Sequence, residues 1–77
     1  MNADQHEDDL YRDLINELVE LRKATAEAVG RRQYAYEVLD EGVETGHHDT
    51  MRRARLEFEQ IDDDTRLRIE AAAGLVT

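Results

Sequence analysis

The chain contains no cysteine, no proline, no serine and no tryptophan. Without cysteine there are no disulfides and no thiolate chemistry. Without serine or cysteine the two commonest catalytic nucleophiles are gone, and no glycine-rich phosphate loop or dinucleotide fingerprint takes their place. Absence of proline removes the strongest helix breaker, and glycine occurs only at positions 30, 42, 46 and 74. No apolar run approaches the roughly 20 residues that span a bilayer. The acidic start, Met1 to Asp9, is the opposite of a secretory leader, so a cytoplasmic setting is expected. Basic residues are scarce too: 10 against 19 acids, a net charge of −9. That balance argues against direct nucleic-acid or anionic-membrane binding, because both surfaces repel it.

What is present is helical periodicity. At about 100° per residue, the apolar residues from Leu10 to Val29 cover one half of a helix. Leu10, Leu14, Leu18, Leu21 and Ala28 lie towards one edge, and Tyr11, Ile15, Val19, Ala26 and Val29 towards the other. Arg22 and Thr25 intrude. So broad a stripe suits a helix with two or more neighbours. The pattern continues in phase past Gly30 through Ala35, Tyr36, Leu39 and Val43, with Arg32, Gln33 and Asp40 as further intruders. One helix of residues 8–44 is therefore expected, capped by Asp8 or Asp9 and about 55 Å long, with room for a bend at Gly30.

Glu44 to Thr50 reads as the turn, with Gly46 in the left-handed position and Asp49 or Thr50 as the next cap. A second helix of residues 50–73 carries Met51, Ala54, Phe58, Ile61, Thr65, Ile69 and Ala72 on one face. Gly74 ends it. Asp62, Asp63 and Asp64 are poor helix formers, yet the stripe stays in phase across them. The domain reading is an acidic flexible tail at 1–7, one helical-hairpin domain at 8–73, and a C-terminal tail at 74–77.

The charge blocks favour an antiparallel fold at about residue 46. It brings Glu37, Asp40, Glu41 and Glu44 near Arg52, Arg53 and Arg55. Arg22, Lys23, Arg31 and Arg32 come near Glu57, Glu59, the Asp run and Glu70. In such a hairpin the first helix outreaches the second. Large side chains left in water forfeit about 1.5–3 kcal/mol each. A self-association interface is therefore expected at Leu10, Tyr11, Leu14, Ile15, Leu18, Val19 and Leu21, with Leu56 and Leu67 as a second apolar contact. The fold class is all-α: an antiparallel two-helix hairpin, dimerising into a four-helix bundle or coiled-coil-like assembly.

Candidate chemistry is sparse. Glu37, Glu41, Glu44 and His48 share a helical face, and Glu44 with His47 makes a Glu-x-x-His pair that in a bundle core can chelate a metal. Here that pair lies at a helix end opposite arginines. Tyr36 is expected in the core and Tyr34 on the polar side. Asp9, Asp13, Glu17 and Glu20 form an acidic strip, preceded by Asp4, Glu7 and Asp8. The expected role is non-enzymatic: a self-associating protein–protein interaction module without cofactor, with a protein partner of unknown identity. One alternative is an acidic inhibitor that imitates nucleic acid and blocks a basic groove, as some phage-encoded anti-restriction and anti-CRISPR proteins do. A second is a carboxylate–histidine metal bundle.

Overall fold

A computed structural model describes residues 3–74, and the side chains of 9–74. The described residues form four helices: α1 (Ala3–Ala28), α2 (Tyr34–Thr45), α3 (His48–Glu59) and α4 (Asp63–Ala72). The all-helical reading holds, and no helix among the described residues is long and apolar enough to cross a membrane. The expected pair of long helices is corrected, because each is broken once.

The helix expected over 8–44 ends at Ala28, and the chain reverses through 29–33. Val29 and Gly30 both donate their backbone N–H to the Thr25 carbonyl, at 2.9 and 3.0 Å. Gly30 then takes φ +98°, a region that residues with a Cβ avoid. Periodicity cannot detect this break, since the apolar phase is the same on both sides of it. Thr25, fully buried, satisfies its hydroxyl by donating to the Leu21 carbonyl at 2.6 Å. At the other end, α1 begins at Ala3. It therefore extends into the stretch expected as a tail, and positions 8 and 9 lie inside the helix rather than at its cap. Of the expected C-terminal tail, only Gly74 is among the described residues.

The helix expected over 50–73 breaks at Asp62. The Asp62 carboxylate accepts the Thr65 N–H at 3.0 Å and the Thr65 hydroxyl at 2.7 Å, and so caps α4. Asp63 and Asp64 follow in the first turn, beside the positive end of the helix dipole. The acidic run is a helix start. These hydrogen bonds hold the Asp62 carboxyl below its ordinary value. The turn at Gly46 is where the sequence places it: φ is +65°, and its N–H reaches the Gly42 carbonyl at 3.2 Å. Neither Asp49 nor Thr50 caps α3. That helix starts at His48, with His47 in the cap position and no side-chain cap bond.

Three reversals let α1 collect all the others. It packs on α2, α4 and, less extensively, α3, while α2 packs mainly on α3. Leu18, Leu21, Leu39, Met51, Phe58 and Ile69 are fully buried, joined by Ala24, Ala35, Val38 and Ala54. The stripe read on residues 51–69 supplies four of these. Gly42 sits where α2 crosses α3, and a Cβ there would stand 2.9 Å from the Ala54 Cβ. Glycine against alanine lets the two backbones approach closely.

Folding back also shortens the overhang. At 26 residues, α1 is about 39 Å long, close to the molecule's longest dimension of 41 Å. Its own chain now covers most of the stretch expected to project. Leu18 and Leu21 are in the core, Tyr11, Leu14 and Ile15 are packed against it, and Leu10 is 56% exposed.

Candidate functional site

The outer seam between α1 and α2 is a half-covered apolar feature. On α1 it is carried by Ile15, Val19 and Ala26, which repeat at helical spacing along one edge; on α2 it is carried by Tyr36 and Val43. Val19 is 37% exposed, and the others are half-buried. Midway along this seam Arg22 reaches across from α1. Its Nη1 donates to Asp40 Oδ1 at 2.7 Å and to Glu44 Oε1 at 3.0 Å. The hydrogen bond to Asp40 raises the Arg22 pKa most, burial opposes it, and Glu44 adds to the rise. The guanidinium is therefore a permanent cation. Lys23, Glu27 and Arg31 stand on the walls of the same groove.

Arg22 and Asp40 are both intruders in otherwise apolar stripes, and they pair with each other. This corrects the expected register, in which Arg22 meets the acids of the second helix. Arg22 meets α2 because the chain has already turned back at Gly30. The expected contact across the Gly46 turn does form between Arg53 and Glu41, at 3.6 Å. Arg52 pairs with Asp49 on its own helix. Arg55 pairs with Glu17 of α1 and lies 5.6 Å from the centre of the Phe58 ring. Its Nη1 is 3.1 Å from Glu59 Oε1, at ion-pair distance but not aligned for a hydrogen bond.

The metal candidates do not converge: among the described residues no three His, Asp or Glu side chains are grouped to hold an ion. The reasons are local. Helix α2 ends at Thr45, so Glu44 and His47 are separated by a turn instead of sharing a helical face. Glu44 is held by Arg22 and Glu41 faces Arg53. His48 stacks on Tyr11, with ring centres 3.5 Å apart and planes 10° from parallel. Glu37 is exposed on α2.

The acidic strip is partly neutralised within the molecule. Asp9 lies 3.7 Å from Arg12, and Glu17 is engaged by Arg55, while Asp13 and Glu20 are exposed. Leu56 and Leu67 are 60% and 49% exposed on α3 and α4. Tyr36 is half-buried at the seam and not in the core. Tyr34 is exposed, and its hydroxyl donates to Glu57 at 3.2 Å; the neighbouring Glu57 charge, chiefly, raises the phenol above its ordinary value. The α1 edge of the seam is legible in the sequence as a second apolar line. Its pairing with Tyr36 and Val43 needed the reversal at Gly30.

No protein-family model, curated protein or solved structure matches the chain.

Proposed function

We propose that the chain is a small acidic interaction module that acts by binding protein, including a second copy of itself, and not by catalysis. One observation carries this reading. The three shorter helices cover α1 unevenly, and the seam between α1 and α2 is left half-covered along several turns. A chain of 77 residues has little apolar surface to spare. Leaving Val19 and Tyr36 at an open groove forgoes stabilisation that a bound surface would recover. The nucleic-acid-mimic reading draws on the charge of −9 alone. It is less favoured because, among the described residues of the α1 acidic strip, Asp9 and Glu17 are already paired with arginine.

The test is molecular mass in solution by light scattering, together with affinity capture at physiological salt. An interaction module gives a concentration-dependent mass above 8.9 kDa or a saturable stoichiometric partner. A chain that stays monomeric at every concentration and captures nothing sinks the reading. Capture that weakens steeply with salt and survives polar substitution of the exposed leucines points to the mimic instead.

A further inference from the structure

The walls of the α1–α2 seam differ in charge, and this points to what covers it. Helix α2 lines the seam with Asp40 and Glu44, carries Glu37 beside them and has no basic residue, while Glu41 is engaged on the other side by Arg53 of α3. Arg22 answers Asp40 and Glu44 from within the groove. Glu37 stands on α2 with no ion pair among the described residues. The opposite wall offers Lys23 from α1 and Arg31 from the turn, against the single acid Glu27. One wall is thus acidic and the other has a basic excess.

We infer that this seam is the site at which a second copy of the chain docks, in a two-fold arrangement whose axis runs parallel to the helices. That symmetry lays α1 of one copy over α2 of the other. Because α1 and α2 run antiparallel within a copy, the helices that meet across the axis are antiparallel too, which suits their dipoles. Basic wall then faces acidic wall on both sides of the axis. The Arg22–Asp40 pair fixes the height: residue 22 lies level with the middle of α2. Lys23 therefore falls between Glu37 and Glu44 of the second copy, one turn from each. Val19, Ala26 and Tyr36 form the apolar floor, and the Arg22 ion pair lies at its centre as a register mark. The other symmetric choice, with its axis across the helices, lays α1 on α1 and α2 on α2. It sets Glu37 and the Arg22-bound Asp40 and Glu44 of one copy against the same residues of the other, and Lys23 and Arg31 against their own copies, and like charges brought together are costly.

The inference rests on the interaction-module reading, and the experiment separates the two. Sedimentation equilibrium is run on the full chain at about 0.15 M salt, from micromolar to millimolar concentration, with helicity checked by circular dichroism. The wild type is expected to dimerise. Val19→Gln, at a side chain its own fold leaves partly exposed, is expected to weaken the dimer at least tenfold with helicity unchanged. Lys23→Glu is expected to do the same, and Lys23→Glu with Glu37→Lys to restore it. Arg68→Glu, an equal charge change on the exposed side of α4, controls for net charge and should have a much smaller effect. A wild type monomeric to millimolar concentration overturns both the site and self-association. A dimer indifferent to Val19→Gln but lost on Leu56→Gln overturns the site and leaves self-association standing. Lys23→Glu no worse than Arg68→Glu, or unrescued by Glu37→Lys, overturns the proposed register.

Discussion

Helix α2 meets its two neighbours in different ways. Against α3 the inner contact is apolar and close: Gly42 lies on Ala54, and Leu39, Met51 and Phe58 are fully buried. Against α1 the outer contact is wetter. It is bridged by the Arg22 ion pair and floored by side chains that keep part of their surface in water. The first contact is closed along its inner face, with the Tyr34–Glu57 and Arg53–Glu41 pairs at its exposed rim. The second retains both apolar area and charge, so the closed and the half-open contacts lie on opposite sides of one twelve-residue helix.

The contrast can be broken from the strongest side first. Leu39→Ala removes a fully buried side chain and is expected to destabilise by about 2–5 kcal/mol. Val19→Ala on the seam should change monomer stability by less than about 0.5 kcal/mol. Urea unfolding at low concentration measures both; equal effects would mean that the two faces are not distinct. Gly42→Ala comes next. Alanine favours a helix by about 1 kcal/mol over glycine, but its Cβ would stand 2.9 Å from that of Ala54. Overpacking of about 1–3 kcal/mol should outweigh the gain, and a raised melting temperature would refute the close crossing.

The two glycine corners flanking α2 sharpen the comparison further. A Cβ at Gly46 or Gly30 meets no atom within 4 Å, so only backbone strain is tested. Each change to Ala should destabilise by about 1–2 kcal/mol. Asn should recover much of that at Gly46, whose φ of +65° lies in the left-handed helical region, and less at Gly30, whose φ is +98°. Thermal melts of the four variants decide this.

The smallest effect belongs to the third corner. The Asp62 carboxyl has a folded pKa lowered from its ordinary 3.8, chiefly by the Thr65 bonds. Its stabilising effect is therefore complete above about that ordinary value and is lost as pH falls through the lowered folded one. Asp62→Ala should melt lower than the wild type at neutral pH, with the gap closing as pH falls below the carboxylate range. A gap constant down to acid pH would show that the cap is not ionic.

The site was only half legible. Tyr11, Ile15, Val19, Ala26 and Val29 could be read as a line on α1, and Tyr36 and Val43 as its continuation. Nothing local says that the second group lies beside the first instead of beyond it. The charges misled for the same reason. Arg22 paired with Asp40 closes a turn at Gly30, whereas the charge blocks alone fit an unbroken first helix equally well.

What the sequence determines by itself is the local chemistry of helices: that the chain is helical, which side of each stretch is apolar, and that Gly46 turns the chain. A 3.6-residue period records the direction of each side chain around an axis, and Met51, Ala54, Phe58 and Ile69 are buried where it points them. Only the tertiary structure decides how many axes there are. A left-handed glycine and an aspartate cap can each end a helix without disturbing the phase of the stripe. The helices end there because turning back buries Leu18 and Leu21 and packs Leu14 against the same core.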